Sequence, residues 1–183
     1  MKHTLLIMAA TVGICFCAAA QNPENDIMNG KKTLVAYFSA TGTTERVAEM
    51  IAEATGGTLY EITPEKKYTA ADLNWRNESS RSSVEMHDLS FRPAIVRDLK
   101  NAGDYDVIYI GFPIWWNLAP TVVNTFIEAY GFEGKTAIPF ATSGGSGITN
   151  SAAQLKKQYP DINWQSGKLL NNPSRADIEA WVK

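Results

Sequence analysis

Cysteine is nearly absent: Cys15 and Cys17 are the only two, and both fall within the first twenty residues. Histidine is equally scarce, with His3 and His87 alone. With 17 Lys and Arg against 19 Asp and Glu, no basic excess exists to argue for a nucleic-acid face. A second long apolar run is also missing, which excludes a polytopic membrane protein. What is present is 183 residues, 45% of them hydrophobic, enough for one packed domain of ~100–200 residues.

Residues 1–20 (MKHTLLIMAATVGICFCAAA) have a short basic start, an apolar stretch from Leu5 to Phe16 and a small-x-small site at Ala18-Ala19-Ala20. This is the layout of a secretory signal peptide, and it predicts an exported, periplasmic protein cleaved near Ala20. Ile14 and Phe16, the residues before the two cysteines, disfavour lipidation. Cleavage leaves residues 21–183 without a thiol, with 16 basic against 19 acidic residues and with His87 as the one histidine. Disulfides, thiolate metal sites and Ser-His-Asp chemistry then lose their residues, and neither a catalytic nor a metal site is expected.

Residues 21–32 are polar and read as a linker; residues 33–183 read as the domain. Leu34–Phe38 is a buried-strand candidate, followed by Val47, Met50, Ile51 and Ala54 at helical spacing and a stop at Gly56-Gly57. Leu59–Ile62, Val107–Phe112, Ala137–Thr142 and Ile162–Leu170 are four more strand candidates. Helices are expected from Pro120 as first residue, over Ala152–Tyr159, and after Ser174 as cap. Pro139 inside the fourth strand conflicts with that assignment, because it removes a ladder donor. Between Thr63 and Asp106 a helix within 69–86 and an extended stretch near Arg92-Pro93 are expected. Alternating strands and helices imply an α/β fold, a doubly wound parallel sheet whose ligand lies beyond the strands' carboxyl ends.

Three loops lie at those ends. Ser39-Ala40-Thr41-Gly42-Thr43-Thr44 runs from the first strand into a helix N-terminus, an anion site lined with hydroxyls. It has no lysine, so it is not a Walker A loop, and no Cys and Arg for a phosphatase loop. Pro113-Ile114-Trp115-Trp116-Asn117 sets two adjacent tryptophans where a flat aromatic ligand would bury one by stacking; the competing role is cover for the sheet edge. Ser143-Gly144-Gly145-Ser146-Gly147 offers free backbone amides in a turn that lets a ligand edge approach closely. Arg76, Arg81 and Arg92 lie in the region between the second and third strands; they could approach the site, but a solvated charged face is the expected role for them.

The segments VAYFSATGTTERVA, YDVIYIGFPIWWNLAP and IPFATSGGSG together resemble the flavodoxin family, over about Thr33 to Asn171. The resemblance implies a five-stranded sheet in the order 2-1-3-4-5 and non-covalent FMN. It implies that Ser39, Thr41, Gly42, Thr43 and Thr44, with Ala40 among them, bind the phosphate. Pro113, Ile114, Trp115, Trp116 and Asn117 would line the isoalloxazine, with a slight preference for Trp115 as the stacking ring. Ser143, Gly144, Gly145, Ser146 and Gly147 would meet the pyrimidine edge. The near-balanced charge departs from the acidic family pattern, so steering of a basic redox partner is not expected. The long insertion that some members carry in the last strand is absent. The expected function is an exported FMN electron carrier working with a redox partner protein or a small acceptor. The alternative is an NAD(P)H-dependent quinone, nitro or azo reductase on the same fold.

Overall fold

A computed structural model describes residues 30–183; the expected signal peptide and most of the linker lie outside the described residues. The chain alternates β1 (Thr33–Tyr37), α1 (Thr43–Thr55), β2 (Thr58–Glu61), α2 (Arg81–His87), β3 (Val107–Pro113) and α3 (Thr121–Tyr130). It continues through β4 (Thr136–Thr142), α4 (Thr149–Gln158), β5 (Asn163–Trp164), β6 (Lys168–Leu169) and α5 (Arg175–Val182). All pairings between these strands are parallel and run β2-β1-β3-β4-β5, with β6 also on β4. That is the expected 2-1-3-4-5 order, with the fifth strand in two pieces.

Strand alternation divides the core into two faces. Leu34, Ala36, Ile108, Ile110 and Phe112 join Val122, Val123 and Phe126 of α3 and Leu155 of α4. Val35, Tyr37, Val107 and Tyr109 join Val47, Ala48 and Ile51 of α1 and Ile178 and Val182 of α5. Every residue of β1 is buried, as a central parallel strand requires. Gly111 is needed on the α1/α5 face, because a Cβ there would come within 2.1 Å of the Phe140 ring on the neighbouring strand.

The Pro139 conflict resolves at the sheet edge. The carbonyls of Ala137 and Ala141 accept from Gln165 and Leu170, so by alternation Pro139 faces the same edge strand. There the register changes from Thr136↔Asn163 to Phe140↔Lys168, one extra residue on the edge side. The missing donor falls opposite this bulge, where no ladder bond is lost.

The strand bounds shift by a residue at most apart from the divided fifth strand, and the helices differ more from expectation. Pro120 stands one residue before α3, as its cap, and α4 starts at Thr149 rather than Ala152. The helix expected within 69–86 is reduced to α2. Residues before it are held in local turns: the Asn74 and Asn77 side chains accept from the backbone N–H of Arg76 and Ser79, an arrangement that competes with helix. Ser80 then caps α2 by accepting from Ser83 N–H. After α2 the chain is irregular to β3 apart from a bridge pairing Pro64 with Ile95 and one 3-10 turn at Ala102–Asp104.

Candidate functional site

The carboxyl ends of β1, β3 and β4 open on a cleft of about 430 Å³. Ala40, Thr41, Thr43 and Thr44 line it from the first loop, Pro113, Ile114 and Trp115 from the second, and Ser143 and Gly144 from the third. Ser39 and Gly42 complete the first loop without lining the cleft, and Trp116, Asn117, Gly145, Ser146 and Gly147 also stand outside its walls. Two further residues line it: Thr142, which the sequence places at the end of the fourth strand where the third loop begins but not among the binding residues, and Asn171, which it did not single out.

Gly42 takes φ +82 at the start of α1, a left-handed turn that suits glycine, and no side chain caps the helix. The first-turn N–H groups, which have no partner within the helix, and the positive end of its dipole therefore stand at the cleft. Ser39 Oγ is buried and has no hydrogen-bond partner among the described residues. Thr44 differs from its neighbours: it is buried, and its hydroxyl lies 2.9 Å from that of Thr142, tying α1 to the end of β4. Glu45, in the same first turn, accepts from the Tyr37 hydroxyl at 3.4 Å. Burial, with Glu45 next, holds the Tyr37 phenol well above its ordinary range.

The second loop is a tight hairpin. Trp115 and Leu118 exchange both backbone hydrogen bonds, at 3.0 and 2.9 Å, so Trp116 and Asn117 form a two-residue turn. Both have positive φ, +47° and +63°, as a type I′ turn demands. Asparagine tolerates this; tryptophan there is an outlier that stores strain. The turn separates the two rings. Trp115 enters the cleft wall, edge-on to Phe38 at 5.5 Å and to Tyr68 at 5.2 Å. Trp116 stays 40% exposed, with its ring 6.3 Å from that of His87. Asn150 Nδ2 donates to the Asn117 carbonyl at 3.0 Å and anchors the turn to α4.

In the third loop Ser143 Oγ accepts from Gly145 and Ser146 N–H, while Ser143 N–H donates to Asn171 Oδ1 at 2.7 Å. Gly144, Gly145 and Gly147 have φ values open to any residue, and a Cβ on any of them would meet no protein atom within 4 Å. The fold does not require glycine at these positions, whereas a ligand lying against the backbone would. Asn171 follows β6, so a fourth loop at the same edge contributes; the sequence signal was its place after the last strand.

The arginines divide. Arg76 lies over the Trp75 ring, and Arg92 forms a two-pronged pair with Glu128, both bonds 2.8 Å. Arg92 holds the Glu128 carboxyl below its ordinary value. Arg81 departs from the expected solvated face: it pairs with the buried Glu85 at 2.6 Å, its guanidinium over the Tyr68 ring. Among the described residues no group of His, Cys, Asp and Glu can hold a metal ion, and no helix is long and apolar enough to cross a membrane.

A model of the flavodoxin family matches residues 32–183. A candidate flavoprotein from Bacteroides eggerthii DSM 20697 is 59% identical, over 83% of this chain and 96% of that one, with TM-score 0.81. Another from Bacteroides uniformis ATCC 8492 is 61% identical, over 84% and 98%, also with TM-score 0.81. A flavoprotein from Lactobacillus acidophilus NCFM, solved in complex with FMN, is 23% identical over 84% and 99%, with TM-score 0.65. No curated protein matches the chain.

Proposed function

The chain belongs to the flavodoxin family, and from that premise we propose that it holds FMN non-covalently in the cleft and works as an electron carrier. The observation that carries this is the composition of one cleft: an uncapped helix N-terminus beside small hydroxyls, a half-buried indole, and a backbone rim of glycines that the fold itself does not need. The N-terminus of α1 with Thr41 and Thr43 holds the phosphate, and Ser39 Oγ gains the partner it lacks within the protein. Trp115 walls the ring system, and the loop from Ser143 to Gly147 receives its polar edge. The known FMN complex of the Lactobacillus acidophilus flavoprotein fits this choice of ligand. Bound FMN supplies one- and two-electron chemistry, while the protein sets affinity and potential by stacking, hydrogen bonds and exclusion of water.

We place the protein outside the cytoplasm, cleaved near Ala20, on the apolar stretch and small-residue site of residues 1–20. Intact mass of the protein from its native envelope tests this, and a mass that retains residues 1–20 refutes it. The cofactor is tested by the visible spectrum of the purified protein, with bands expected near ~370 and ~450 nm from the oxidised flavin. A colourless protein that fails to bind added FMN refutes the reading. Rapid oxidation of NAD(P)H by the FMN-loaded protein alone would replace the carrier with a reductase.

A further inference from the structure

The chain between β2 and β3 buries a charged group that the cleft does not touch. Glu85 is 3% exposed, and its carboxylate accepts from Arg81 Nε at 2.6 Å and from the Tyr68 hydroxyl. The Arg81 guanidinium lies 3.9 Å from the Tyr68 ring centroid, and its Nη1 donates to the Lys66 carbonyl at 2.6 Å. An ion pair of this kind is a poor choice for stability alone, because desolvating both charges offsets most of their attraction. It does fix direction. The guanidinium covers the Tyr68 ring and the carboxylate holds its hydroxyl, so the ring cannot turn without breaking a buried bond.

Tyr68 in turn meets Trp115, with centroids 5.2 Å apart and planes at 81°, and Phe38 at 5.6 Å. Trp115 rests on the same Phe38, at 5.5 Å and 87°. The cleft's indole is therefore braced by two rings, one inside the sheet core and one steered by the ion pair. We propose that Tyr68, oriented by Glu85 and Arg81, is a positioning residue that presets the angle of Trp115 toward the flavin ring. This rests on the role given to Trp115 above. A preset indole need not be ordered when the ligand arrives, which removes an entropic cost of binding. The ion pair thus gives the irregular β2–β3 connection a task at the cleft.

The test is a double-mutant cycle on flavin dissociation constants, with FMN and riboflavin titrated separately into the apoprotein. Tyr68→Leu should weaken both ligands alike, by ~3–10-fold, since the ring and not the phosphate loses its support. Tyr68→Phe keeps the ring edge and loses only the bond to Glu85, so its loss should be smaller, about 2–3-fold. In a Trp115→Leu background, Tyr68→Leu should change neither constant by more than about 2-fold. The midpoint potential should follow the same pattern, moving with Tyr68→Leu only while Trp115 is present. If the Tyr68→Leu loss is undiminished in the Trp115→Leu background, or is absent although Trp115→Leu itself weakens binding, the positioning role is wrong and the indole wall stands. If Trp115→Leu alters neither affinity nor potential, the wall is wrong and the positioning role falls with it. Should far-UV circular dichroism show Tyr68→Leu unfolded, Tyr68→Phe completes the cycle with a tighter limit: its loss should vanish within error in the Trp115→Leu background, and a loss undiminished there overturns the positioning role.

Discussion

Ser39→Ala separates what is good for the fold from what is good for the ligand. The Ser39 hydroxyl is buried without a partner among the described residues, one residue before the cleft wall begins. A buried hydroxyl left unpaired costs ~1–3 kcal/mol, so deleting it should stabilise the apoprotein by on the order of 1 kcal/mol after the small void is charged against it. For a domain of this size that raises the apo melting temperature by about 2–4 °C. A hydrogen bond to a charged phosphate contributes ~1.5–3 kcal/mol, so the same deletion should weaken FMN by roughly 10–150-fold. Ligand stabilisation grows as RT ln(1 + [L]/Kd), and a hundredfold weaker site forfeits about 2.7 kcal/mol at saturating FMN. The order of stabilities should therefore invert: the variant melts above wild type without FMN and below it with FMN. Riboflavin, which lacks the phosphate, should not invert it. Thermal unfolding with no ligand, with FMN and with riboflavin reads all three. A variant that melts higher under every condition would show that Ser39 plays no part in phosphate binding. A variant that melts lower as apoprotein would show that its hydroxyl is already satisfied.

The first-loop threonines should divide in the same way. Thr43→Val should weaken FMN about tenfold or more at nearly constant apo stability, whereas Thr44→Val breaks the buried bond to Thr142 and should lower apo stability by ~1 kcal/mol, read by urea unfolding. Gly111→Ala forces a methyl into the Phe140 ring and should cost ~1–3 kcal/mol, largely recovered by Phe140→Leu in the same chain. Burial pushes the Tyr109 phenol up to about 12, so the folded state resists its ionisation. Stability from this group is complete below pH 10 and is lost as pH rises from 10 toward 12, and Tyr109→Phe should flatten that alkaline limb in a denaturant series.

The sheet was legible because its central strands are buried on both faces and so appear as uninterrupted apolar runs, such as Val107 to Phe112. The cleft was legible where a loop's chemistry is carried by adjacent residues, as from Ser39 to Thr44. Residues 63–106 were less so, because beyond the local turns before α2 the contacts that place them are not periodic and reach far along the chain. Arg92 reaches Glu128, Tyr60 reaches the Val96 carbonyl, and Pro64 bridges Ile95. Asn171 was hidden for the same reason: its role is one bond to the N–H of Ser143, 28 residues away. The two tryptophans could be counted but not told apart, since only the positive φ of Trp116 sends them in different directions.

Several departures from locally favourable structure lie at the carboxyl edge of the sheet. Of the helices that begin there, α1, α3 and α4 start without a side-chain cap, while α5, which follows the fourth loop, has the Ser174–Asp177 capping box. The unpaired Ser39 hydroxyl, the strained Trp116 and three glycines with open surroundings lie at the same edge. Each costs the free domain something on the order of 1 kcal/mol, and those beside the cleft, the α1 N-terminus, the Ser39 hydroxyl and Gly144, are groups that a bound anion or ring edge would satisfy. Beneath them, the sheet residues Leu34, Val35, Ala36 and Ile108 are fully buried in a close-packed core that yields little. The strain therefore cannot relax into the core and remains in the loops as a fixed geometry. A site held in this way gives up little entropy on binding, so the energy missing from the free protein reappears as affinity. The prediction for Ser39 measures that exchange at a single hydroxyl, and the cycle through Tyr68 and Trp115 measures it at the indole.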